Sequence, residues 1–155
     1  MLRRLYQILA FLFVTISLQA QPKHEVRAAW VTTLFGLDWP SVEATSPFSM
    51  QYQQEELCRQ LDELQKAGVN LVFFQTRLRS DVAYRSQIEP MSVVFTGRPG
   101  GDPGYDPLAF AISECHKRGM ECHAWIVAIP AGNRAHQKEL GSRALDKRHK
   151  DLVLY

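Results

Sequence analysis

Gln65-Lys66-Ala67-Gly68-Val69-Asn70-Leu71-Val72-Phe73-Phe74-Gln75-Thr76-Arg77 is the stretch that decides the fold. It reads as a helix end, a glycine stop and a buried strand that finishes on polar groups. Leu57, Leu61 and Leu64 stand at i, i+4 and i+7, so they share one helical face. Lys66 falls in the last turn, where a cation suits the negative end of the helix dipole. Gly68 can take the left-handed conformation that closes a helix. Residues 69–74 are nearly all apolar, the pattern of a strand covered on both faces. Gln75, Thr76 and Arg77 then fall where such a strand should end.

The pattern recurs downstream. Asp106-Pro107 is a helix start, with Asp as N-cap and Pro at the first helical position. Leu108, Ile112 and Cys115 repeat the helical face, and Lys117, Arg118 and Gly119 repeat the cationic last turn and the stop. Residues 120–128 form a second mainly apolar strand. Two helix-glycine-strand units in succession predict parallel strands joined by crossovers. Function in such folds gathers at the carboxyl ends of the strands.

Residues 1–20 carry Arg3 and Arg4, a short apolar core and Ala20, which predicts a secretory signal cleaved after Ala20. The mature domain is then residues 21–155, placed in a secreted or periplasmic setting. The segment holds two cations and no acid, so its removal takes the formal charge from +2 to zero. A neutral chain excludes non-specific nucleic-acid binding, which needs clustered cations. It has no further apolar run long enough to span a membrane. The cysteines, Cys58, Cys115 and Cys122, are an odd set and not a disulfide framework. The Cys115-His116 and Cys122-His123 pairs fit no familiar zinc spacing, so no metal is expected and the thiols read as buried and free. No cofactor is implied.

Residues 25–33 read as the first strand, with Trp30 facing the core. Residues 34–50 contain Gly, Pro, Ser and Thr and read as a loop that includes Asp38 and Trp39. A helix is expected over 52–67. Residues 78–105 form a long connection rich in Gly and Pro in its second half. Loops of that length are usually functional or disordered, and Asp81, Glu89 and Asp102 favour function. Residues 134–150 are polar and mixed, and Asp151 opens another apolar stretch.

Several segments together resemble the glycosyl-hydrolase-like 10 family, secreted proteins related to bacterial enzymes that cut peptidoglycan glycan strands. They are Glu25-Val-Arg-Ala-Ala-Trp-Val-Thr-Thr, Leu37-Asp-Trp-Pro-Ser, Phe74-Gln-Thr-Arg, Ser80-Asp-Val-Ala-Tyr, Glu89-Pro-Met-Ser, Tyr105-Asp-Pro-Leu-Ala-Phe-Ala-Ile and His116-Lys-Arg-Gly-Met-Glu-Cys-His-Ala-Trp. The resemblance implies an α/β fold, the N-terminal portion of a (β/α)8 TIM barrel with about three βα units present. A complete barrel takes about 250 residues, so the acidic residues proposed for catalysis in the family are expected beyond Tyr155. The chain departs from the family after His123-Ala124-Trp125, where Ile126-Val-Ala-Ile-Pro-Ala-Gly replaces the usual Asn-Pro-Tyr-Arg pattern.

The implied activity is hydrolysis of O-glycosyl bonds in a polysaccharide, with peptidoglycan glycan strands as the nearest substrate. That reaction needs two carboxyl groups flanking the scissile bond. Asp106 is better explained as a helix cap, Asp102 as a turn residue and Asp38 as a brace for its loop. Asp81 follows the second strand closely and suits sugar hydroxyls or bracing better than acid catalysis. Pyranose rings stack on indoles, which makes Trp125 and Trp39 candidate platforms, although Trp39 could instead fold its loop back onto the domain. Gln75 and Arg77 complete the expected substrate-binding set. Arg77 could hold a carboxylate or pair internally with Asp81. His123 reads as an interior hydrogen-bonded residue. A chain without its acid pair binds without cleaving, so the alternative is a non-catalytic carbohydrate-binding or envelope-interaction protein.

Overall fold

A computed structural model describes residues 25–152. The expected signal segment and the last three residues lie outside them. Strand β1 (Ala28–Val31) is followed by helix α1 (Pro47–Lys66), strand β2 (Leu71–Arg77), helix α2 (Pro107–Lys117) and strand β3 (Glu121–Ile126). Two short helices follow, α3 (Arg134–Leu140) and α4 (Leu145–Arg148). The strands form a parallel sheet in the order β1-β2-β3. This is the arrangement that the two helix-glycine-strand units predict. Both outer strands are free edges among the described residues, so the sheet is open and closure into a barrel is not seen.

Helix α1 begins five residues earlier than expected. Ser46 accepts from the Ser49 backbone at 3.1 Å, Ser49 reaches back to the Ser46 N–H at 3.0 Å, and Pro47 sits at the first helical position. This reciprocal cap satisfies backbone donors that a helix start leaves open. Asp106 caps α2 as expected, accepting from the Ala109 N–H at 2.9 Å. Gly68 and Gly119 both sit at positive φ, 80° and 70°, and close α1 and α2. The expected polar stretch after β3 instead contains α3, capped by Asn133, which accepts from the His136 N–H at 2.9 Å. Asp151 and Leu152, where a further strand was expected to open, lie in a 3-10 turn.

The core forms between the sheet and one layer of helices. Val31, Val72 and Phe74 pack with Leu57 and Leu61 of α1 and Ala111 and Cys115 of α2. Arg118 ties the two helices together. It bonds Asp62 at 2.7 Å and the Cys58 carbonyl at 3.3 Å on α1, and Glu114 at 2.8 Å on α2. All three cysteines are free, and Cys115 is buried.

The opposite face of the sheet is uncovered among the described residues. There Trp30 stacks on Phe73 at 4.3 Å between centroids, and His123 meets Phe73 edge-on at 5.7 Å. Trp30 is 60% exposed, not in the core as expected, because no described element packs on that face. His123 is likewise exposed, with Nε2 2.8 Å from the Glu121 carboxylate.

Candidate functional site

The carboxyl ends of the strands are built as a braced polar layer. Gln75 is 2% exposed. Its side-chain oxygen accepts from the Thr33 and Leu34 N–H groups, both at 2.9 Å, and from the Thr32 hydroxyl at 2.7 Å. It therefore pins the end of β1 to β2. Asp38 holds the next turn by accepting from the Thr32 N–H at 2.8 Å. These contacts position the turn Leu34–Gly36, in which Phe35 sits at φ 58° with 70% of its surface exposed.

Arg77 pairs with Glu89, not Asp81. Its Nε donates to the two carboxylate oxygens at 3.1 and 2.8 Å, and Nη2 donates to Oε1 at 2.6 Å. Nη1 donates to the carbonyls of Val127 at 2.5 Å and Ala128 at 3.1 Å, just past β3. The guanidinium thus joins the end of β2, the 78–105 connection and the chain after β3. A bidentate Arg–carboxylate pair is among the stronger side-chain contacts, and it leaves Arg77 little capacity for a substrate carboxylate.

Asp81 is 1% exposed. One oxygen accepts from the Arg79 N–H at 2.9 Å, and the other lies 3.8 Å from Nε2 of His136. The His136 imidazole is buried. Nε2 donates to the Arg79 carbonyl at 2.9 Å, while Nδ1 lies 3.8 Å from the Glu139 carboxylate. Between these groups Ser80 is held at φ 65°, fully buried. A non-glycine residue in that region costs on the order of 1–3 kcal/mol and clusters at functional sites. The Arg79 guanidinium lies over the Phe35 ring at 4.7 Å. Phe35, Arg79, Asp81, Glu43 and Glu139 line one cleft of about 460 Å³.

The structure therefore separates the expected substrate-binding residues. Gln75, Arg77 and Asp81 come together at the end of β2, with Gln75 Oε1, the Arg77 guanidinium and one Asp81 oxygen bonded within the protein. Trp39 is fully buried against Phe74 and Phe95, with its N–H donating to the Gln53 carbonyl at 2.8 Å. No sugar can stack on it, because the ring has no exposed surface. Trp125 pairs in register with Gln75 and remains partly exposed. It is the aromatic of the set that keeps surface for a ligand. Sequence reasoning missed His136, Glu139 and the Phe35–Arg79 contact. The Asn133 cap was the available sign that α3 begins there. Among the described residues no cluster of three His, Cys, Asp or Glu is arranged to hold a metal ion, and no helix is long and apolar enough to cross a membrane.

Comparison with known proteins adds the family. Residues 25–152 match the family described as Glycosyl hydrolase-like 10. The chain is 44% identical over 107 residues to glycosyl hydrolase YngK of Bacillus subtilis strain 168, covering 69% of this chain and 20% of that protein. It is 43% identical over 110 residues to glycosyl hydrolase DigH of Escherichia coli K12, covering 68% of this chain and 25% of that protein. DigH of Shigella flexneri matches to the same extent. The chain thus spans about a fifth to a quarter of the length of these relatives.

Proposed function

This chain belongs to the glycosyl-hydrolase-like 10 family, and from that membership we propose that it forms the glycan-holding N-terminal part of a (β/α)8 hydrolase acting on an exported polysaccharide such as peptidoglycan glycan strands. The observation that carries the reading is the commitment of the acids near the strand ends. Asp38, Asp81, Glu89 and Asp106 are all engaged by backbone N–H groups or by Arg77. The carboxylates that line the cleft in exposed positions, Glu43 and Glu139, come from a loop and a short helix. A pair positioned for glycoside hydrolysis needs rigid support on both members. Trp125 would present its indole to a pyranose ring, with Gln75, Arg77 and Asp81 holding the surrounding wall. The same commitment also suits a non-catalytic glycan-binding protein, and release of fragments separates the two.

Incubation of the full chain with purified glycan strands, with mass spectrometry of the supernatant, is expected to show retention on the strands and no released fragments. Turnover that disappears in Glu139→Gln or Glu43→Gln would overturn the reading and place the chemistry in this cleft. Export is part of the proposal. The protein recovered from the cell envelope should have the mass of residues 21–155, and a species that retains Met1 would count against a cleaved signal.

A further inference from the structure

We propose that the cleft bordered by Arg85, Arg143 and Arg148 is an anion subsite that takes the carboxylates of an acidic glycan. The proposal rests on the polysaccharide reading above and specifies the class of polysaccharide. The cleft has a volume of about 410 Å³, and Tyr84, Glu89, Gly100 and Asp102 complete much of its wall.

Its charge is unbalanced. Both oxygens of Glu89 are engaged by Arg77, so that carboxylate does not neutralise the cleft. Asp102 faces Arg85 at 3.5 Å, with both side chains about two-thirds exposed, and its other oxygen accepts from the Gly104 N–H at 2.8 Å. An ion pair that long and exposed holds little. Arg143 donates from Nη1 to the Pro99 carbonyl at 2.9 Å, and Arg148 donates from Nη1 to the Ile88 carbonyl. Neither has a carboxylate within ion-pair distance among the described residues. A guanidinium carries five donors in a fixed fork, so these backbone contacts orient Arg143 and Arg148 and leave most of their donors for a ligand. Gly100 allows the arrangement. It sits at φ 66°, and a Cβ there would collide with the Arg143 guanidinium.

Planar forks of this kind match carboxylates in a bidentate way. A neutral sugar would not require three cations around one weakly paired acid. The cleft beside Phe35 has the reverse balance, with Glu43, Asp81 and Glu139 against Arg79. Acidic substituents therefore suit the cationic cleft and not the one beside Phe35.

The test uses the full chain and three probes at low ionic strength. They are a glycan strand with free carboxyl groups, the same strand with those groups converted to neutral methyl amides, and a neutral β-1,4-linked N-acetylglucosamine oligomer. Titration calorimetry is expected to show the acidic strand binding about tenfold more tightly than its amidated form, as two or three charge-assisted contacts would give. Arg85→Gln, and separately Arg143→Gln with Arg148→Gln, should remove most of that preference. Arg143 and Arg148 also support backbone, so Arg85→Gln, at an exposed side chain and with an unchanged melting temperature, is the deciding variant. Equal binding of all three probes, with Arg85→Gln silent, would overturn the subsite and leave the polysaccharide reading standing. Binding of none would remove both.

Discussion

With its guanidinium spread over both oxygens of Glu89 at 2.6 to 3.1 Å, Arg77 is a partly buried cation whose charge partner comes from the long connection. Glu89→Gln removes that charge while Arg77 stays 16% exposed. A loss of about 2–3 kcal/mol is expected, since an orphaned, largely buried charge costs more than the pair contributes. The urea midpoint should fall with no change in the slope of the transition. Trp39→Phe keeps a ring beside Phe74 and Phe95 but removes the indole N–H that bonds the Gln53 carbonyl. About 1–2 kcal/mol should be lost in the same measurement. Neither contact could be read in the sequence. Arg77 and Glu89 are separated by a loop with no period, so Asp81, nearer in the chain, was the natural partner to weigh. The polar run Gln75, Thr76 and Arg77 marks a strand end in the sequence, and β2 does end at Arg77. What sequence could not show is that the hydrogen bonds of Gln75, Arg77 and Asp81 close within the protein.

Elements were legible wherever capping chemistry stood next to a periodic apolar face. Asp106-Pro107 marked the start of α2 for that reason. Ser46-Pro47 carries the same signal for α1, but it is embedded in a Gly-, Pro- and Ser-rich stretch whose composition reads as loop. Ser46→Ala should therefore destabilise the chain by about 1 kcal/mol, measured by thermal or urea unfolding. The contact between α1 and α2 carries a pH dependence. Lys117 and Arg118 hold the Glu114 carboxyl down at about 2 from an ordinary 4.5. A depressed carboxylate contributes stability that is fully present above the unfolded value and is lost as pH falls toward the folded one. Between about pH 4.5 and 2 the chain should lose roughly 2–3 kcal/mol from this group. Urea midpoints measured across that window should fall in the parent and stay much flatter in Glu114→Gln.

For the molecule as a whole, the decisive feature is a sheet with helices on one side. Trp30, Phe73 and His123 lie on the side that no described element covers, and β1 and β3 have unpaired edges among the described residues. Open strand edges are templates for pairing with other chains. Purified residues 21–155 are therefore expected to unfold with low cooperativity and to associate as concentration rises. A sharp transition from a stable monomer, seen by calorimetry and light scattering together, would show that the single helical layer suffices. Parallel order was foreseeable because each strand follows a helix with its own stop. Exposure of Trp30 was not, because alternation along a strand assigns a side chain to a face without saying what lies opposite. The short helices after β3 were hidden by their mixed charge, and His136 with them.

The clasp of Arg77 on Glu89 and on the carbonyls of Val127 and Ala128 also bears on how quickly a ligand leaves. Three separate stretches of chain are already fixed relative to one another before anything binds. A ligand that touches this wall need not immobilise it, so little of its contact energy is lost to ordering loops. Affinity differences between related ligands should then show up mainly as differences in residence time.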